Sequence, residues 1–196
     1  MGKMLLCVPR MYTEDEFRRI ETSLPGDFEL KTSEFWDYVK DKFQMFVGKV
    51  QRVYRDEICQ GEENALAYLS SVDRENYLIA KSLIESGAVF EATEDPMLVS
   101  ESESWLEMIE HEPLNQIYLE LYQETIRDRD KYISNRINES LGEDELGVLF
   151  IEPSRRINLN EHIKIIKVCR FDPSDYLRSW QVQIESKQRL TTGHDE

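Results

Sequence analysis

The apolar run GVLFI constrains the fold more than any other stretch of this sequence. It begins at Gly147 without a polar interruption, and Glu152 and Pro153 follow it directly. An apolar run of this length between a turn and a proline is typical of a strand that is covered on both faces. The run therefore predicts a central strand of an α/β sheet.

A long amphipathic helix is predicted before that strand. Between Leu114 and Ile137, apolar side chains recur at helical spacing and form one broad face. Arg129 and Arg136 fall near the middle of this face, so both guanidinium groups are expected to point towards the packed side of the helix. Gly142 predicts a left-handed cap at the end of the helix.

Arg129 has two interpretations. A guanidinium group cannot lose its proton on burial, so it needs a carboxylate, carbonyl oxygens or a ligand anion. In the first interpretation the arginine reaches towards solvent or pairs with a carboxylate from another segment, and in the second it faces a cleft and binds an anion. Asp130 follows it in the sequence but is expected on the flank of the apolar face.

The rest of the chain predicts an α/β fold with a small, largely parallel sheet of about four strands and a large helical share. The other three strands are expected near residues 4–9, 88–90 and 163–168. Thr13 and Glu16 have the spacing of a capping box, and one aromatic-rich helix is expected from Ser33 to Tyr54. We expect a single domain over residues 1–184, with a helical lobe at about 33–86 and a disordered polar tail at 185–196.

Composition limits the classes of partner. The chain has a net charge of −15 and no block of four or more basic residues, so nucleic-acid binding is not expected. Cys7, Cys59 and Cys169 are far apart and odd in number, which indicates a reducing compartment without disulfides. No apolar run approaches the length of a membrane span, so we expect a cytoplasmic protein without membrane contact. Trp105 and Trp180 on short predicted helices are compatible with a homodimer surface and equally with burial in the core.

The sequence lacks the familiar catalytic motifs. GxGxxG, GxxxxGK, GxSxG and HExxH are all absent. His162 has no partner at metal-binding spacing, His194 lies in the tail, and His111 with Glu107 one turn earlier is typical of a surface pair rather than of a ligand set. A histidine-based metal site is therefore not predicted, and no particular cofactor is indicated. An all-carboxylate site for Mg²⁺ or Ca²⁺, formed by Glu94 or Asp95, is the alternative.

Charged residues follow several of the predicted strands. If the strands are parallel, these residues emerge at one edge of the sheet, where open α/β sheets bind their ligands. Such an edge suits a small ligand that carries a phosphate or carboxylate group. The predicted ligand-binding residues are Arg10, Arg129, Asp130, Glu152 and Arg155.

Two segments carry a resemblance to known families. The sequence IRDRDKYISNRINESL, followed by GVLFI, resembles the C-terminal part of a family of uncharacterised bacterial and archaeal proteins in which an Arg-Asp helix precedes a strand ending in LFIGxxH. The stretches VPRMYT, FWDYV and ATEDPMLVSESESWL are similar to that family as well. The arrangement is more distantly similar to the TraB, ChaN and erythromycin-esterase group, which includes hydrolases and proposed metal or haem binders.

The resemblance matches Arg129 and Asp130 to the helix pattern but departs from it at the strand end. Glu152 stands at the glycine position and Arg155 at the histidine position. The resemblance therefore implies a degenerate hydrolase, and it does not carry imidazole-dependent metal chemistry over to this chain.

Two function classes are compatible with the sequence. In the first, the protein binds a small anionic ligand at the sheet edge, with or without hydrolysis. In the second, it is a non-enzymatic interaction domain whose acidic surface meets a basic partner and whose arginines are structural.

Overall fold

A five-stranded parallel sheet organises the molecule. The computed structural model describes residues 2–21 and 23–192. The strands are β1 (Met4–Pro9), β2 (Arg52–Arg55), β3 (Val89–Phe90), β4 (Leu146–Ile151) and β5 (Lys164–Lys167). They are arranged in the order β3-β2-β4-β1-β5, and every neighbouring pair is parallel. All six residues of the central strand β4 are buried, as the apolar run predicts.

Helices connect most of the strands. They are α1 (Glu14–Ile20), α2 (Phe28–Gln44), α3 (Glu62–Val72), α4 (Arg74–Glu85), α5 (Pro96–His111), α6 (Gln116–Ser140) and α7 (Pro173–Thr192). The α/β class is thereby confirmed. In the described part of the chain, no helix is long and apolar enough to cross a membrane.

The two faces of the sheet have separate cores. Successive side chains of a strand point to opposite faces, so Leu6 and Val8 join one cluster while Leu5 joins the other. The first cluster contains the apolar sides of α1 to α4. The second is covered by α6, which contributes Ile133 and Ile137. Each core thus depends on β1, β2 and β4 together.

The strand β2 was not predicted. The sequence favours one helix through Tyr54, but α2 ends at Gln44 and Gly48 adopts a φ of +74°, which no helix accommodates. Val53 and Tyr54 then point to opposite faces, and both are fully buried. The sheet therefore has five strands rather than four. The segment expected as a helical lobe, at about 33–86, supplies β2 to the sheet as well as α3 and α4.

The C-terminal ends of two helices also differ from the predictions. The left-handed cap predicted at Gly142 was wrong, because α6 ends in extended backbone at Leu141 and the Gly142 amide donates to Glu145 Oε2 at 2.7 Å. The helix α7 continues to Thr192, whereas a disordered tail was predicted from residue 185. Residues 193–196 of that tail lie outside the described residues. The capping box of Thr13 and Glu16 is confirmed at the start of α1.

Candidate ligand-binding site

The carboxyl ends of the parallel strands bring charged residues together at one edge of the sheet. Each segment contributes at a point where a strand has just ended or where α6 passes over the edge. The residues are Arg10 after β1, Arg55, Asp56 and Glu57 at the end of β2, Glu94 after β3, Glu152 and Arg155 after β4, and Arg129 and Asp130 on α6.

A cleft of about 720 Å³ opens over this edge. Its charged floor includes Arg55, Arg129 and Arg155, which come from three separate segments. Its apolar lining includes Leu106 of α5 and Ile126 of α6. The cleft can therefore receive a small molecule that has both a charged and an apolar part.

Glu94 links the segments around the cleft. Its Oε2 accepts a hydrogen bond from Arg129 Nε at 2.6 Å, and its Oε1 accepts one from Arg129 Nη2 at 2.8 Å. The same Oε1 also accepts from Arg155 Nη2 at 3.0 Å and from the Glu57 amide at 2.9 Å. The Glu94 side chain is fully buried, so these are charge-assisted bonds in a dry environment.

Arg129 is held by internal partners. Besides Glu94, its Nη1 donates to Ser102 Oγ at 2.8 Å, which ties α6 to α5. The structure thus contains the ion pair with a carboxylate from another segment, while the arginine also lines the cleft. Arg136, by contrast, is only half-buried and donates to the Ala92 carbonyl at 3.2 Å.

Arg155 joins the end of β4 to α6. Its Nε lies 2.9 Å from Asp130 Oδ1, in an ion pair whose geometry falls short of a hydrogen bond. The other oxygen of Asp130 accepts from the Arg156 amide at 2.9 Å. Asp130 therefore fixes the loop after β4 and does not line the cleft.

Arg10 does not line the cleft itself but pairs with Asp56, which does. Arg10 Nε donates to Asp56 Oδ1 at 2.9 Å, and its Nη1 donates to Glu16 Oε1 at 3.0 Å. Asp56 Oδ2 accepts from the Glu152 amide at 2.7 Å, so this carboxylate also connects β2 to β4. Burial alone would raise the pKa of Asp56, but the nearby arginines, above all Arg10, and the Glu152 amide hold it below its usual range.

Arg55 and Glu57 form the least satisfied part of the site. Arg55 Nη1 donates to the Asp56 carbonyl at 2.9 Å and to Glu57 Oε2 at 3.0 Å. Its Nη2 is 3.7 Å from Asp73 Oδ2, and its buried Nε has no hydrogen-bond partner among the described residues. Arg55 is 1% exposed, so an unpaired donor here is costly.

Glu152 stands at the end of the central strand and lines the cleft. Its Oε1 accepts from Ser154 Oγ at 2.5 Å. Burial raises the pKa of Glu152, and the negative charge of Asp56 adds to this shift, although Ser154 and two arginines act against it. Burial, followed by the charge of Glu152, also raises the pKa of Tyr122, another lining residue. Glu152 is therefore a carboxylate that accepts a proton more readily than usual.

Negative charges outnumber positive ones at the site. Four arginines are in contact with six carboxylates, and Glu152 beside them is the seventh, which leaves a formal excess of three negative charges. The arginines are Arg10, Arg55, Arg129 and Arg155, and the carboxylates are Glu16, Asp56, Glu57, Asp73, Glu94, Asp130 and Glu152. A ligand with several negative charges is therefore disfavoured.

The structure brings all five predicted ligand-binding residues to the sheet edge, although only Arg129, Glu152 and Arg155 line the cleft. Sequence reasoning missed Arg55 and Glu57, because their strand had been assigned to a helix. The signal was the β-favouring pair Val53 and Tyr54 followed at once by charged residues.

Glu94 and Asp95 are engaged elsewhere than in a metal site. Both oxygens of Glu94 accept from arginines, and Asp95 Oδ1 accepts from the Met97 amide at 2.7 Å as the cap of α5. Across residues 2–21 and 23–192, no group of three or more His, Cys, Asp or Glu side chains is placed to hold a metal ion.

Comparisons of the chain with protein-family models, with curated proteins and with solved structures find no match. The resemblance of the Arg129 helix and its following strand to the TraB, ChaN and erythromycin-esterase group therefore stays a prediction.

Proposed function

We propose that this protein binds a small molecule with one anionic group in the cleft at the carboxyl edge of its sheet. The observation that carries the proposal is the convergence of Arg55, Arg129 and Arg155 on the floor of one cleft, at the position where parallel sheets bind ligands. Their guanidinium groups bring cationic hydrogen-bond donors to the cleft of a strongly acidic chain, although the neighbouring carboxylates outnumber them.

The surrounding carboxylates narrow the chemistry of the ligand. A polyphosphate would meet the excess of negative charge, whereas a single carboxylate or phosphate monoester would meet one guanidinium at close range. Hydroxyl or amino groups on the ligand would donate to the lining carboxylate of Glu152. Its carbon skeleton would lie against the apolar lining formed by Leu106 and Ile126. A hydroxy acid, an amino acid or a hydroxylated monophosphate has this combination.

Catalysis is a second step of the same proposal. Glu152 lines the cleft and has a raised pKa, which suits a group that exchanges a proton with a bound ligand. Arg155 occupies the position of the histidine in the LFIGxxH motif, and an arginine cannot act as a base. The protein is thus proposed to be a ligand-binding relative of hydrolases, and we propose a cytoplasmic location, which its three free cysteines support.

The test is titration calorimetry with inorganic phosphate, glycerol 3-phosphate, glycolate and glutamate at low ionic strength. Leu106→Trp fills the cleft without removing a charge, and Met108→Trp places the same bulk on the same helix outside the cleft. We expect at least one probe to bind the wild type and Met108→Trp, and to lose binding to Leu106→Trp. If no probe binds the wild type or any cleft variant, or if Leu106→Trp binds as well as Met108→Trp, the proposal is wrong.

The second candidate function is a non-enzymatic interaction domain. It is favoured by apolar side chains near the turn between α5 and α6, where Leu114 is 95% exposed and Ile117 is 64% exposed. Exposed apolar residues beside an acidic surface are typical of interaction sites. Sedimentation analysis of the wild type and of Ile117→Ser tests for a homodimer, because self-association that the substitution abolishes would support this candidate.

A further inference from the structure

We propose that the carboxylate of Glu57 occupies the anion subsite of the cleft, and that the anionic group of a ligand binds by displacing it from Arg55 and Arg10. This inference rests on the proposed function and assigns its anion contact to the loop that follows β2. The ligand class is a small carboxylate or phosphate monoester.

The arginines of the site differ in how fully they are engaged. Arg129 forms two short bonds to Glu94 and a third to Ser102, so a ligand would have to break a bidentate pair to reach it. The Nε of Arg55 is fully buried and has no hydrogen-bond partner among residues 2–21 and 23–192. Its Nη2 lies 3.7 Å from Asp73 Oδ2, which is too far for a hydrogen bond. Arg155 Nε also lacks a hydrogen bond, but it lies 2.9 Å from Asp130 Oδ1 in an ion pair. Among the arginines that line the cleft, Arg55 therefore has the least engaged donors.

Glu57 is the carboxylate that a ligand can displace most easily from these arginines. Its side chain is 35% exposed and lines the cleft, and it contacts Arg55 Nη1 at 3.0 Å and Arg10 Nη2 at 3.7 Å. Two other carboxylates on these arginines are also held by backbone amides. Asp56 accepts a hydrogen bond from the Glu152 amide, and Glu16 accepts one from the Thr13 amide. Glu57 accepts no backbone hydrogen bond in its side chain among the contacts of the described residues.

The backbone holds Glu57 in this position under strain. Its φ of +66° lies in the left-handed region, which disfavours a residue with a Cβ atom. The Glu57 amide is anchored to Glu94 Oε1 at 2.9 Å, so the loop stays in place when the side chain moves. Strained backbone of this kind is concentrated at ligand-binding positions.

Tyr68 supplies a further donor at the same place. Its hydroxyl lies 3.5 Å from Glu57 Oε2, and the side chain lines the cleft from α3. Burial, with the charge of Glu57 second, raises the pKa of Tyr68 to about 12, so the hydroxyl keeps its proton at neutral pH. A ligand anion that replaces the Glu57 carboxylate would inherit donors from Arg55, Arg10 and Tyr68.

When the ligand group carries one negative charge, the displacement replaces one anion by another at the same donors, so the charge of the buried network is unchanged. Because Glu57 is tethered next to the subsite, it competes at a high effective concentration and lowers the apparent affinity for the ligand. Removing its carboxylate should therefore tighten binding, which is the opposite of what loss of a ligand contact would do.

The test compares Glu57→Gln and Glu57→Gly with Glu103→Gln by titration with phosphate and glycolate. Glu103 lines the same cleft from α5 and takes part in none of the arginine contacts described here, so its substitution measures the general effect of one lost negative charge. We expect the dissociation constant to fall about tenfold in both Glu57 variants, and by less than about twofold in Glu103→Gln. Glu57→Gly also removes the strained Cβ atom, so it serves where Glu57→Gln folds poorly.

The outcomes separate this inference from the proposed function. Equal tightening in the Glu57 and Glu103 variants, or weaker or unchanged binding in both Glu57 variants, would overturn the displacement while binding in the cleft stands. Binding that appears only after Glu57 is replaced would support it. If neither the wild type nor the Glu57 variants bind any probe, both proposals are wrong.

Discussion

Replacing Arg129 by leucine should destabilise the protein strongly. The substitution removes the two bonds to Glu94 and the bond to Ser102, while the fully buried Glu94 carboxylate keeps only Arg155 Nη2 and the Glu57 amide. Loss of one partner from a buried ion pair costs about 3–5 kcal/mol. Because Glu94 retains two donors, we expect a loss of about 3 kcal/mol, at the lower end of that range.

The loss can be measured by urea unfolding and by calorimetry. A cost of 3 kcal/mol corresponds to a fall in melting temperature of roughly 6–12 °C for a chain of this length. The matched control is Arg127→Leu, because Arg127 is exposed on the same helix and its loss should change the unfolding free energy by less than about 0.5 kcal/mol.

A double-mutant cycle tests whether the cost comes from the pair itself. Arg129→Leu and Glu94→Gln should be strongly non-additive, with a coupling of about 1–3 kcal/mol, because each substitution removes the same interaction. If Arg129→Leu is as stable as the wild type or more stable, the guanidinium is held at a cost to stability, as ligand-binding groups often are. That result would refute the structural assignment of Arg129.

Three further substitutions test other parts of the structure. Thr13→Ala removes the capping box of α1 and should cost about 1 kcal/mol in urea unfolding, whereas Thr13→Ser should cost little. Gly147→Ala should cost about 1–3 kcal/mol, because a Cβ atom there would lie 2.9 Å from Leu5 Cδ1; wild-type stability would contradict this packing. Glu152→Gln should be more stable than the wild type at pH 7, since a raised folded-state pKa penalises the ionised carboxyl; unfolding across pH should show this advantage shrinking as the wild-type residue becomes protonated.

The sequence was most informative where local and tertiary preferences agree. The apolar run of β4 could be read directly because every residue of it is buried, and the capping box of α1 depends only on Thr13 and Glu16. Arg129 was correctly expected on the packed side of its helix, where it is 8% exposed. Its partner could not be named, because Glu94 is 35 residues away and reaches it only through the strand order.

The missed strand shows where a periodic pattern misleads. Apolar residues from Phe35 to Tyr54 fit one helical arc, yet Val53 and Tyr54 pack into cores on opposite faces of the sheet. A short strand buried on both sides has no alternation of polar and apolar residues that would separate it from a helix. The error also removed Arg55 and Glu57 from the predicted site, because only a strand delivers them to the sheet edge.

The position of α6 determines how a molecule could enter the cleft. This helix packs Ile133 and Ile137 into the core on one face of the sheet, and it also carries Arg129, which lines the cleft. Swinging it outwards to admit a molecule would expose Leu5 and the centre of β4 to water. Entry is therefore expected from the opposite rim, where α3 presents Tyr68, and hydrogen exchange should be faster in that helix than in the second half of α6.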